Sequence, residues 1–232
     1  MTAGRSDAPH DQGAVLASAC TALRVFPLPG VVLLPGVPAP FHLFEPRYRA
    51  LGAAVLEGDR VLAVPTLVDP DRAAEARPQL HPVAGVGQVV AANRNADGTV
   101  DIVVQGAARV RLLEEVTRAT PWREFRAELL HDVYPAGGHE ALRGDVEAIG
   151  QLCYELAGLL PPESGAGQLA ETVARAHPPG LLADLVAAAA VGEPQARYRV
   201  LATLDVAERL ALVKQELAGV ILLLSRGRTP SA

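Results

Sequence analysis

Residues 85–114 read GVGQVVAANRNADGTVDIVVQGAARVRLLE, and two incompatible folds compete for them. As the turn of a dinucleotide-binding unit, Gly85-Val86-Gly87 would need a third glycine and then a helix whose N-terminus meets a pyrophosphate. Val90 stands at that third place, and the apolar run continues to Ala92. Residues 83–92 and 100–104 are instead two β-rich runs joined by Asn93-Arg94-Asn95-Ala96-Asp97-Gly98, whose side chains suit a tight turn. The reading is a hairpin. The same loop imitates the start of a calcium loop, but Val104 occupies the place of the bidentate glutamate, so no metal is expected there. Gly106 marks a bulge, after which Val110 and Leu112 alternate with Arg109 and Arg111.

Working outward, strand-like runs at 23–28, 61–67 and 122–130 flank the hairpin without helical crossovers between them, which predicts a small barrel of six or seven strands. Pro35, Pro38 and Pro40 lack the backbone donor of a central strand, so their segment is an edge or a crossing. Pro46 suits the first turn of a helix whose buried face is Tyr48, Leu51, Ala54 and Val55, with Gly58 as its C′ stop. Residues 69–78, polar and bounded by prolines, are a loop. Beyond about 139 the period becomes helical: Leu142, Val146, Ile149, Cys153 and Leu156 share a face, two shorter helices follow at 181–191 and 194–201, and the last is capped by Asp205 with Glu208 three residues on. Its seam is Val206, Leu210, Val213, Leu217, Val220 and Leu224.

Composition bounds the function. At 232 residues, 50% hydrophobic and 20% charged, the chain is globular and long enough for one large or two small domains. Its apolar runs fall short of the roughly 20 residues that cross a bilayer, and the first twenty residues lack the basic-then-apolar pattern of a signal peptide. A tail and a cytoplasmic location are expected. Cys20 and Cys153 make no framework, and six histidines without i, i+4 pairing make no metal site, so neither metal nor cofactor is predicted. Ser164 lacks the context of a nucleophile elbow, and Lys214, the sole lysine, has no phosphate-binding loop. No nucleophile, base and orienter can be assembled, so a non-enzymatic protein is expected. Arg109, Arg111, Arg118, Arg123 and Arg126 interleave with Glu114, Glu115, Glu124 and Glu128, a mixed-sign solvated face and not a phosphate stripe.

The stretch FPLPGVVLLPGVPAPFHLFEPRYRAL, from Phe26 to Leu51, resembles the opening of the N-terminal substrate-binding domain of Lon protease; residues 85–114 and ADLVAAAAVGEPQARYRVLATLDVAERL, in that order, agree with it too. The resemblance spans about residues 21–224 and departs at Pro29-Gly30, where Lon usually has Arg-Asp. It implies an α+β protein: a flexible tail at 1–20, a PUA-like β-barrel with one helix at 21–132, a helical bundle at 133–228 and a tail at 229–232. It also implies polypeptide segments or client proteins as partners, bound between barrel and helices by a stand-alone captor without ATPase or peptidase modules, with association to a protease left open. Phe41, His42, Phe44, Arg47 and Tyr48 are the candidate peptide-binding residues, with core packing as the competing role for the three rings. The alternative is an RNA-binding PUA-like domain, against which stand the net charge of −5 and the interleaved glutamates.

Overall fold

The computed structural model describes residues 9–227. They divide into two compact units. One comprises residues up to Leu33 together with Pro38–Leu130; the other is His131 onward together with Leu34–Val37.

The first unit is built on six strands: β1 (Leu23–Val25), β2 (Pro38–Leu43), β3 (Val61–Val64), β4 (Val83–Arg94), β5 (Val100–Val116) and β6 (Arg123–Leu130). Pairing runs β5–β4–β3–β1–β6 and returns to β5, with β2 added on the outer side of β5. The barrel is weakest at β1, whose parallel ladder with β3 holds a single register pair, Val25↔Ala63. The hairpin decides this topology, as the sequence predicts: β4 and β5 pair antiparallel from Arg94↔Val100 inward, and Gly98 takes the left-handed φ of 80° that closes the turn. The bulge expected at Gly106 is also present, as a register shift at Val86/Gly87 opposite residues 106–108. Gly85 and Gly87 serve packing, not phosphate. A Cβ on Gly85 would fall inside the carbonyl of Leu33, and one on Gly87 inside the carbonyl of Gln105.

β2 lies at the sheet edge, where Pro38 and Pro40 remove two donors that a further strand would require. Helix α2 (Pro46–Glu57) buries Tyr48, Leu51 and Val55 as expected, in a core with Phe26, Leu43 and Ile102. Gly58 ends it, as expected, with its N–H bonded to the Ala54 and Val55 carbonyls. Gly58 has φ −102°, and the left-handed residue is Arg60 (φ 62°), whose N–H bonds to the Val55 carbonyl at 3.1 Å.

The expected N-terminal tail is corrected over Pro9–Ala19, which form helix α1; Leu16 and Cys20 sit buried in a second core with Leu23, Val86 and Val110. Apolar side chains at i and i+4 bury even a weakly amphipathic helix when an open sheet face lies beside it. Residues 1–8 and the tail expected at 229–232 lie outside the described residues.

The second unit holds α3 (Arg143–Leu159), α4 (Ala166–Arg175), α5 (Pro179–Ala190), α6 (Pro194–Ala202) and α7 (Val206–Gly227). Asp205 caps α7 as predicted, accepting from the Glu208 N–H at 2.9 Å. The seam of α7 holds through Leu217 and then turns to Ile221, leaving Leu222 and Leu223 exposed. Helix α4 was not legible in the sequence: Gly165 and Gly167 have the composition of a loop, yet Gly165 (φ 75°) precedes a helix whose Ala170 and Val173 are fully buried. A buried charge cluster holds α5 and α7. The guanidinium of Arg209, 0% exposed, is bidentate to Asp132 (2.9 and 2.6 Å) and 3.9 Å from Asp184, itself 1% exposed. Lys214 meets Asp145, joining α7 to α3.

Candidate functional site

The five candidate residues fall into two groups. Edge strand β2 alternates its side chains, so Phe41 and Leu43 turn inward while His42 is exposed. Phe41 is half-buried and meets Phe26 edge-on with ring centroids 5.6 Å apart; Tyr48 meets the same ring at 4.7 Å. These two are core. Phe44, 62% exposed, is not core, and its ring stacks on His42 with centroids 6.0 Å apart and planes 21° from parallel. Arg47 lies across the Tyr48 ring at 4.5 Å and donates through Nε to Glu45 at 2.9 Å.

Between these residues the first unit opens into a groove of two adjoining compartments that share walls. The first, about 290 Å³, has Phe44 and Leu67 among its walls, the Pro27-Leu28-Pro29 segment along one side and Ala73 and Pro78 of the 69–78 loop along another. The second, about 230 Å³, shares Pro27, Arg47, Tyr48 and Pro78 with the first and adds Arg77, Trp122 and Arg123. Proline stiffness therefore shapes the wall of this groove as well as the chain crossing. Burial, the largest influence, pushes the Tyr48 phenol up; Arg47 opposes it and Glu45 adds to it, so Tyr48 presents a neutral hydroxyl at physiological pH.

His42 also lines a third hollow, about 470 Å³, along β2, β5 and β4. Its Nδ1 lies 2.6 Å from Asp101, which also accepts from the Asn95 amide at 2.8 Å. Those two hydrogen bonds, Asn95 first and His42 second, hold the Asp101 carboxyl below the usual range. The ionised carboxylate can only accept, so it fixes the imidazole proton on Nδ1.

The expected mixed-sign face is present: Arg111 pairs with Glu128 (3.1 Å), Arg126 with Glu114 (2.8 Å), Arg118 with Glu124 (3.2 Å) and Arg123 bidentately with Glu115. Two members depart from it: Arg109 and Glu124 are each 4% exposed, although each neighbours an inward residue, Val110 and Phe125, and so lies on the other face of its strand. Sequence reasoning missed Arg77 and Trp122 as groove residues. Two prolines, Pro78 and Pro121, stand beside them, but nothing local shows that loop and strand entry converge.

A family model described as the ATP-dependent protease La (LON) substrate-binding domain matches residues 22–219. The chain belongs to that family. The Lon protease of Paraburkholderia phytofirmans is 29% identical over 86% of this chain, and that of Roseiflexus castenholzii 30% identical over 82%. The chain spans 24% and 23% of those relatives. In solved structures, the N-terminal domain of Mycobacterium avium complex Lon protease superimposes with a TM-score of 0.66 at 17% identity, covering 85% of this chain and 98% of that one. The Lon N-terminal domain protein from Xanthomonas campestris gives 0.56 at 20% identity, with the same two coverages. The α+β architecture, a PUA-like strand unit followed by helices, is thus that of Lon N-terminal domains, and the part of Lon that the family model describes is the one that binds substrate. Among the described residues of this Lon-family domain, no helix is long and apolar enough to cross a membrane.

Proposed function

We propose that the groove over Tyr48 holds an extended polypeptide segment, so that this Lon-family domain works by capture and not by turnover. One observation carries the reading: Phe44 is 62% exposed beside a proline-walled apolar compartment. Aromatic side chains left in water at the mouth of an apolar hollow are the usual anchors of recognition. Membership in the Lon substrate-binding family supports the same class of ligand. Clients presented to a protease, or held in an adaptor or chaperone-like manner, are the partners this assigns, in the cytoplasm.

Peptide binding measured by fluorescence anisotropy tests the reading. Phe44→Ala weakens binding about tenfold, the loss of one ring contact, while the folded spectrum is retained. Unchanged affinity in that variant, or no peptide bound above background by the native chain, would overturn it.

A further inference from the structure

The second compartment carries a charge that the first does not. Three guanidinium groups, Arg47, Arg77 and Arg123, line it, and among the described residues no carboxylate does. This is unexpected in a chain of net charge −5. Two of the three are held by carboxylates: Arg47 by Glu45, which lines the first compartment, and Arg123 by Glu115, which lines neither. Arg47 is bonded to Glu45 at 2.9 Å, and Arg123 to both oxygens of Glu115 at 3.0 and 2.9 Å and to the Pro78 carbonyl at 2.9 Å. Among the described residues Arg77 has a 3.8 Å approach to the Glu115 carboxylate that Arg123 already occupies, and its side chain is 68% exposed. One positive charge is thus in excess, on a flexible side chain beside the apolar compartment.

Resting on the reading of the groove as a peptide site, we propose that its preferred occupant is an extended peptide pairing an apolar side chain with a nearby Asp or Glu. The apolar group fills the Phe44–Leu67 compartment, and the side-chain carboxylate completes the coordination of Arg77. Arg47 and Arg123, balanced by their own carboxylates, shape the wall and leave the selection to Arg77. A planar guanidinium suits this task because it receives a carboxylate through two parallel N–H donors.

The test uses the full chain and two fluorescent peptides, amidated at the C-terminus so that only side chains carry acid. They are identical except that one has Asp and the other Asn two residues after a Leu. The Asp peptide should bind about tenfold more tightly, the scale of one charge-assisted contact, with the preference shrinking as salt is added. In Arg77→Gln the two peptides should bind equally, at the affinity the native chain shows for the Asn peptide, whereas Phe44→Ala should weaken both and keep the preference. Equal binding to the native chain, or a preference surviving Arg77→Gln, overturns the acid selectivity and leaves the capture reading standing. Absence of binding by either peptide overturns both. A single-stranded RNA that displaces the Asp peptide and loses its affinity steeply with salt overturns both in favour of a nucleic-acid site.

Discussion

Phe41 and Phe44 are three residues apart and have opposite fates, because a strand turns alternate side chains to opposite faces and Phe44 lies just past its end. Phe41→Ala is expected to cost about 2 kcal/mol, below the range for a fully buried ring because Phe41 is half-exposed. Phe44→Ala should change stability by less than about 0.5 kcal/mol. Urea denaturation of both variants checks the contrast; an equal cost would mean that Phe44 belongs to the core. The sequence showed that an aromatic concentration lay at 41–48, but not which ring was wall and which was core. That depends on where β2 ends and on Phe26, just past the end of β1, reaching both Phe41 and Tyr48. Gly85 is a residue-scale test of a different kind. Gly85→Ala places a methyl group against the Leu33 carbonyl and should cost about 3 kcal/mol, the upper end for overpacking, by the same assay.

At the scale of elements, local pattern was legible and partnership was not. The hairpin announced itself through turn chemistry, and α7 through its cap and seam. Helix α4 lay hidden behind two glycines, and α1 in a stretch too weakly patterned to stand out. Asp184 interrupts the apolar run of residues 181–191 in the sequence; in the fold it is a buried partner of α7, 3.9 Å from the Arg209 Nε. Arg209→Met leaves Asp184 and Asp132 without their cation and should cost about 3–5 kcal/mol in urea denaturation. A loss under 1 kcal/mol would show that the cluster does not hold the helices.

The β5–β6 pair gives a pH prediction. The hydrogen bond from Arg123, opposed by partial burial and helped by the charge of Arg123, holds Glu115 below the ordinary 4.5. A depressed folded value means that the contribution is complete above the unfolded value and is lost as pH falls through the folded one. The stability gap between the native chain and Glu115→Gln should therefore be widest near neutrality and close on acidification below about pH 4.5. A gap that stays constant with pH would refute the pairing.

Across the whole molecule, the chain passes from one unit to the other after Leu33, after Val37 and after Leu130. The sequence placed one boundary near 132, because the change from strand to helical period is visible there; the four-residue excursion is not, since Leu34-Pro35-Gly36-Val37 has no period of its own. Within the helical unit this segment is seated firmly: Leu34 is 1% exposed, and Gly36, at φ 80°, leaves no room for a Cβ against Leu181. Cleavage engineered between Leu130 and His131 should yield two polypeptides that co-elute on size exclusion in buffer and separate only in denaturant. Separation in buffer would show the seat to be weak.

The same excursion constrains inheritance. A single crossover in the gene cannot transplant either unit intact, because four codons that furnish the helical unit lie inside the reading frame of the other. Shuffling, deletion and fusion must carry both units together or rebuild that short clasp.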